Sequence, residues 1–259
     1  MSKIILYYYP NSVCSQKVRL ALEEKGVKWE SRVVDIGQPL ENYKPWYMRL
    51  NPKGVVPTLV NGDEVVTDSF RIINYIDQQL EGPSLEPNLS EEQSEMRRWL
   101  ALGDHLPIHA LTYGRGGVPG GTQMLEKRLK ALDGYKNNNP ELAEHYKAKI
   151  ESVKSLKENA ENSDNIAEIE NRTEQLIDEL ESVLSQREYI AGSTYSLADV
   201  IWNVLLARLE LLGMASLWEN SKRPELAAYY LQMKNRASFK SADIRTAWKG
   251  SLKAIQCRL

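Results

Sequence analysis

Val55-Val56-Pro57-Thr58-Leu59-Val60-Asn61-Gly62-Asp63-Glu64-Val65-Val66-Thr67-Asp68-Ser69 is the stretch that decides the fold. Two β-rich runs, Thr58–Val60 and Glu64–Val66, flank Asn61-Gly62-Asp63. Asn-Gly tolerates the positive φ of a tight turn, so the runs predict an antiparallel hairpin. Asp68 and Ser69 supply N-cap chemistry for a helix with Ile72, Ile73 and Ile76 on one face, which ends near Gly82-Pro83.

Upstream, the run Ile4–Tyr9 is β-rich and stops at Pro10-Asn11. Val18, Ala21 and Leu22 then recur at helical spacing up to Gly26, a C-terminal stop. Trp29–Val34 predicts a second strand, parallel to the first because the helical crossover is long, and Glu41–Leu50 predicts a second helix. The order βαβα, hairpin, α is that of a thioredoxin-like domain over 1–82. From Ser90 onward strand signals nearly vanish, and Met96, Trp99, Leu100, Leu106 and Leu111 mark a long amphipathic helix. A glycine-rich break, Gly114 to Gly121, and a polar stretch from Leu125 to Leu184 with helical spacing of Leu and Ile predict an extended helical insert about 114–187. Ser196-Leu197-Ala198-Asp199 is a capping-box start for an apolar core helix, with Tyr195 and Val200 placed as its hydrophobic staple. The expected architecture is α+β: a thioredoxin-like domain and an all-helical domain over 90–259.

Composition narrows the partners. With 259 residues, 42% hydrophobic and 26% charged, the chain has a globular composition, which excludes a disordered or fibrous class. Lys plus Arg number 33 against 35 Asp plus Glu, a balance that gives no field to gather nucleic acid or anionic lipid. Cys14 and Cys257 lie at opposite ends without CxxC spacing, which builds neither a disulfide framework nor a zinc cluster and points to a reducing compartment. No secretory signal or membrane span is expected; the charged residues Asp199, Arg208 and Glu210 interrupt the most apolar stretch. Cys257-Arg258-Leu259 only loosely resembles a peroxisomal address, and the cytoplasm is the expected location.

Three features fall where a thiol ligand would sit. Pro57 before the hairpin is a candidate cis-proline that would turn the Val56 backbone outward to pair with an extended peptide; the bland alternative is a tight turn. Asp68-Ser69 opens a helix whose free amides suit a carboxylate; the alternative is a simple cap. Cys14 lies at the first strand-to-helix junction, at or near the first helical position, where free amides and the helix dipole favour thiolate. An ordinary cysteine is only about 3% thiolate at pH 7, so that position decides whether Cys14 is a nucleophile or a small apolar filler. Tyr8 is a rival thiol-activating hydroxyl, although a strand favours tyrosine in any case, and Ser12 is preferred to it. His105 and His109 are spaced i, i+4, but Pro107 interrupts the helix and no HExxH glutamate is present, so no metal is expected.

The sequence resembles the glutathione S-transferase superfamily through Ser12-Val13-Cys14-Ser15-Gln16-Lys17-Val18-Arg19, through Asn51-Pro52-Lys53-Gly54-Val55-Val56-Pro57-Thr58-Leu59 and through Asp68-Ser69. Within it the resemblance is to the tetrachlorohydroquinone reductive dehalogenase-like members and covers nearly the whole chain. It includes Val34-Asp35-Ile36-Gly37, Leu40-Glu41-Asn42, Thr112-Tyr113-Gly114, Gly117-Val118-Pro119, Ile190 through Asp199, and Trp248-Lys249-Gly250. It implies glutathione as co-substrate, no metal, a homodimer, and a small electrophilic quinonoid or halogenated aromatic substrate. Ser12 would hold the glutathione thiolate for conjugation. Cys14 would then attack the glutathionyl sulfur of the conjugate, and a second glutathione would clear the mixed disulfide. Val56 and Pro57 would fix the cysteinyl backbone, and Ser69 with Asp68 the γ-glutamyl end. Lys44 and Lys53 are weaker candidates for the glycyl carboxylate; Tyr113, Arg115 and Trp248 are candidate second-substrate contacts.

Similar N-terminal motifs occur in the ganglioside-induced differentiation-associated proteins, which usually carry a C-terminal membrane anchor not expected here. They also occur in zeta-type isomerases, whose Ser-Ser-Cys pattern is broken by Val13. The alternatives are therefore a glutathione-binding protein with little turnover and a zeta-like isomerase.

Overall fold

The computed structural model describes residues 3–219 and 221–247. Strand β1 (Ile4–Tyr8) leads into helix α1 (Val13–Lys25), strand β2 (Glu30–Val33), helix α2 (Pro45–Leu50), the hairpin β3 (Thr58–Asn61) and β4 (Glu64–Thr67), and helix α3 (Ser69–Gln79). The sheet order is β2-β1-β3-β4, with β1 parallel to β2 and antiparallel to β3. The hairpin pairs Thr58 with Thr67 and Asn61 with Glu64 across Asn61-Gly62-Asp63, and Gly62 takes the positive φ of 61° that the turn requires. Alternation along β1 buries Leu6 and Tyr8 on the face covered by α1 and α3, while Tyr7 and Tyr9 belong to a small cluster with Val34, Tyr47 and Val56 on the other face.

The expected second helix is split. Glu41–Tyr43 forms a 3₁₀ turn, and α2 starts only at Pro45, because proline lacks the N–H for a helix interior but suits its first position. The expected long helix after Ser90 is also two: α4 (Ser90–His105) stops before Pro107, and α5 (Ile108–Gly114) follows. The polar stretch is helical as α6 (Gln123–Asn138), α7 (Ala143–Glu161) and α8 (Ser163–Leu184). Helices α6 and α7 enclose a core of their own, in which Leu125, Leu132, Tyr146 and Val153 meet Leu40, Tyr43 and Met48. By contrast, α8 contributes Leu176, Ile177 and Leu180 to the main core, where they join α9 (Leu197–Leu211), α10 (Pro224–Asn235) and α11 (Ala237–Ser241).

The apolar helix α9 is the hub. Its start is secured by Asp199, wholly buried, whose carboxylate accepts from the Ser196 N–H at 2.8 Å, the Ser196 hydroxyl at 2.9 Å, the Ile190 N–H at 3.1 Å and the Tyr229 hydroxyl at 2.7 Å. Helix α1 packs against α3 and α9 and shares one core with Leu6 and Tyr8 of β1, so it lies at the junction of the two halves. Arg19 on α1 fixes that arrangement, donating to the carbonyls of Ala242 at 2.8 Å, Asp243 at 3.0 Å and Pro10 at 3.3 Å. Among the described residues no helix is long and apolar enough to cross a membrane.

Candidate active site

Ser12 is the N-cap of α1: its extended backbone (φ −72°, ψ 123°) lets the hydroxyl oxygen accept from the Ser15 N–H at 3.3 Å. The cap leaves the hydroxyl proton available to a ligand. Cys14, half-buried and not in a disulfide, is therefore the second residue of the helix, one place further in than the first helical position. Its Sγ lies 3.6 Å from Nε2 of His109, which is exposed on α5. Burial pushes the thiol up, but the hydrogen bond and charge of His109 outweigh it, with lesser help from the Lys17 ammonium and the Ser69 hydroxyl, and the thiol comes down from 9.0 to about 7. The nearby Arg208 guanidinium on α9, buried and held by the Asn11 carbonyl, is depressed by burial to about 10 and propped up by Cys14 and then Tyr113.

The Val56-Pro57 peptide bond is cis, as the sequence suggests. Beneath it, the buried Tyr47 hydroxyl donates to the Val55 carbonyl at 2.7 Å and meets Thr58 Oγ1 at 3.0 Å. The Asn51 amide reaches the same two acceptors at 2.9 and 3.0 Å, and Asn42 donates to the Gly54 carbonyl at 2.9 Å. Gly54 must stay side-chain-free here: its φ is 56°, and a Cβ would stand 2.8 Å from Met48 Sδ. Tyr47, Asn42 and Asn51 thus brace the loop that presents Val56. Their role has no signature in sequence spacing, because each is an ordinary helix or loop residue until the chain folds back on it.

At the third corner, Asp68 (φ 75°) is itself the N-cap of α3. Its carboxylate is engaged by the Phe70 and Arg71 amides at 3.0 and 3.2 Å, and Ser69 is the buried first helical residue. Ser12, Cys14 and Ser69 thus gather at two helix N-termini. Lys44 sits before α2 with its ammonium 3.3 Å from Glu41, and Lys53 is exposed after Asn51. Tyr8 turns away: it is buried against Trp29 and Arg19, and its hydroxyl accepts from Ser31 at 3.1 Å. Tyr113 is buried beneath Arg128, Arg115 forms an ion pair with Glu170 on α8, and Trp248 lies outside the described residues.

Pro107 places His105 and His109 on successive helices, and His109 meets Cys14 instead of a metal set; among the described residues no three His, Cys, Asp or Glu side chains gather to ligate one. His109 also lines a cavity of about 360 Å³ with Asp104, His105, Pro107, Ile108, Leu156, Asn159 and others. A slightly larger cleft of about 430 Å³ is walled by Glu91, Glu92, Glu95 and Arg187, and Ser12, Cys14, Val56 and Ser69 line neither cavity.

Two family models match, the glutathione S-transferase N-terminal domain over residues 11–79 and the C-terminal domain over 163–231. The tetrachloro-p-hydroquinone reductive dehalogenase of Sphingobium chlorophenolicum is 41% identical over 97% of this chain and 100% of its own. The 2,5-dichlorohydroquinone reductive dechlorinase of Sphingobium indicum is 30% identical over 95% of this chain and 83% of its own. The solved structure of beta-etherase LigF from Sphingobium sp. strain SYK-6 superposes with a TM-score of 0.75 at 24% identity over 93% of this chain and 98% of that one, which shows the shared fold. With the α/β domain, the helical domain and both family models in agreement, the chain belongs to the glutathione S-transferase family and is an enzyme of glutathione chemistry.

Proposed function

We propose that the enzyme conjugates glutathione to halogenated or quinonoid rings and then reduces the glutathionyl conjugate through Cys14. The observation that carries this reading is the placement of a free Cys14 thiol at the second position of α1, beside His109 and Ser69. The resemblance to two reductive dehalogenating relatives supports the substrate class. In the first stage the Ser12 hydroxyl donates to the glutathione thiolate, which forms a C–S bond to the ring, either as halide leaves with its electron pair or by addition to a quinonoid ring whose carbonyl oxygen takes up the electrons and a proton. In the second, the Cys14 thiolate attacks the glutathionyl sulfur, and the ring leaves with the C–S electrons and takes up a proton. Glutathione then attacks the mixed disulfide, restoring Cys14 and releasing oxidised glutathione.

In this reading Val56, presented by cis-Pro57, pairs with the cysteinyl backbone. Ser69 binds the γ-glutamyl carboxylate from the α3 N-terminus while Asp68 holds that helix start in shape. Lys53, and less directly Lys44, face the glycyl end. Of the second-substrate candidates, Tyr113 is better supported than Arg115, which Glu170 engages. The division between the two domains falls in the segment between α3 and α4; the family resemblance supports a homodimer, and an unpaired catalytic thiol supports a reducing, cytoplasmic compartment.

The test is intact mass after incubation with oxidised glutathione or a glutathionyl hydroquinone, comparing wild type with Cys14→Ala. An adduct on Cys14 that excess glutathione reverses is the expected outcome. Absence of an adduct in protein that binds glutathione would leave conjugation assisted by Ser12, or binding without turnover.

A further inference from the structure

We propose that His109 is a catalytic residue of the reductive stage, a proton carrier that takes the Cys14 thiol proton and delivers it to the ring carbon released from sulfur. The inference rests on the two-stage reading above and adds a residue that none of the glutathione-site motifs contains.

Four elements converge on the Cys14 sulfur: α1 with Lys17, α3 with Ser69, α9 with Arg208 and α5 with His109. Lysine and arginine stabilise negative charge there but are poor proton donors near neutrality, and a serine hydroxyl is a weak acid. Imidazole is the side chain suited to accept and release a proton in that range. Of the four, His109 combines a 3.6 Å contact between Nε2 and Sγ with an exposed position on α5, where the imidazole can meet both the thiol and a bound conjugate.

The chemistry needs such a group. When the Cys14 electron pair forms the S–S bond, the C–S bond breaks and its electron pair stays on the ring carbon. That carbon gains two electrons and requires one proton, while the two sulfurs are oxidised to the mixed disulfide. The proton that His109 Nε2 removes from the thiol is the one the carbon needs, so the step balances without an outside acid. By contrast, attack of Cys14 on oxidised glutathione expels a thiolate, a stable leaving group with little need of a proton donor.

That contrast defines the experiment. The rate of Cys14–glutathione adduct formation is measured by mass spectrometry in wild type, His109→Gln, His109→Ala and Cys14→Ser, once with oxidised glutathione and once with a glutathionyl hydroquinone, with release of the free hydroquinone followed in parallel. Loss of His109 lowers the thiolate fraction at pH 7, partly offset by the greater nucleophilicity of a more basic thiol, so the oxidised-glutathione reaction slows about five- to tenfold. The aryl thioether reaction slows a further 100-fold or more, the contribution of general acid catalysis. Added imidazole restores part of it in His109→Ala.

Equal slowing of both reactions would overturn the proposal, leaving His109 a residue that only sets the thiol, and so would unchanged rates. Hydroquinone release that persists in Cys14→Ser would instead overturn the two-stage reading itself, an outcome distinct from a failure at His109.

Discussion

Arg236, the residue between α10 and α11, clasps the carboxylate of Glu24 on α1 through two parallel bonds, Nε to Oε1 at 3.0 Å and Nη2 to Oε2 at 2.7 Å. The Ser238 hydroxyl donates to the same carboxylate at 2.5 Å, and the Arg236 guanidinium lies 4.2 Å from the Tyr195 ring centre. The fork joins the helix that carries Cys14 to the helical domain at the end opposite the thiol. The hydrogen bond and charge of Glu24 hold the guanidinium well above its ordinary range, against some burial. Glu24 is 8% exposed and Arg236 31%, so the pair is screened less than a surface pair. A double-mutant cycle with Glu24→Gln and Arg236→Met read by urea unfolding is expected to give a coupling of about 1–2 kcal/mol.

Asp199 offers a sharper stability test, since four donors converge on a wholly buried carboxylate. Asp199→Ala strands the Ile190 and Ser196 amides and the Tyr229 hydroxyl in the core and is expected to cost about 3 kcal/mol or more. Asp199→Asn keeps the volume but turns an amide donor toward groups that are themselves donors, so it recovers only part of that loss. Thermal unfolding of the two variants checks the order. Burial also holds the Asp199 acid above its ordinary 3.8, partly countered by the donors. Its protonation therefore favours the folded state, and that contribution fades as pH rises through the folded value.

Gly82 separates the domains' connecting segment from α3 at a point of close backbone approach. Its φ is 129°, and a Cβ there would stand 2.2 Å from the carbonyl oxygen of Lys25, at the end of α1. Lys25 in turn is locked by its ammonium to Asp77 at 3.0 Å, both side chains 5% exposed or less. Gly82→Ala meets backbone that cannot swing aside and is expected to cost about 2–4 kcal/mol, whereas Gly134→Ala, in open space on α6, is expected to be neutral or slightly stabilising. Chemical denaturation of both variants distinguishes the two environments.

Alkylation of Cys14 reports its ionisation directly. The thiol sits at about 7, below its ordinary 9.0, so the rate of iodoacetamide modification is expected to be low and rising below pH 7 and to level off above it, about two units earlier than an ordinary cysteine. Lys17→Met removes a nearby positive charge that favours the thiolate and is expected to move the midpoint upward. Peptide mass mapping keeps the Cys14 signal separate from that of Cys257.

Most of the sheet was legible from local chemistry. Asn61-Gly62 can make its turn without help, β-branched runs flank it, and Pro45 and Pro107 mark where helices stop or start. The two expected helices that split did so at those prolines, where a missing N–H overrides an otherwise helical spacing. The Ser196–Asp199 capping box was readable as a local motif, but the Ile190 and Tyr229 donors to the same carboxylate were not, since they arrive from other segments. The motif residues Ser12, Cys14, Pro57 and Ser69 were legible as candidates because helix starts and X-Pro bonds carry their chemistry in a few consecutive residues.

His109 shows the limit of that legibility. In sequence it reads as one of an i, i+4 histidine pair, and 95 positions separate it from Cys14. Propensities, caps and turns act over a few residues, so the order of most elements, the helix-start position of the thiol and the family resemblance were readable from the chain alone. The partner of that thiol was decided only by tertiary structure: packing α1 against α3 and α9 and breaking the helix at Pro107 sets α5 against the α1 N-terminus, and no local energy term encodes a contact between groups so far apart along the chain.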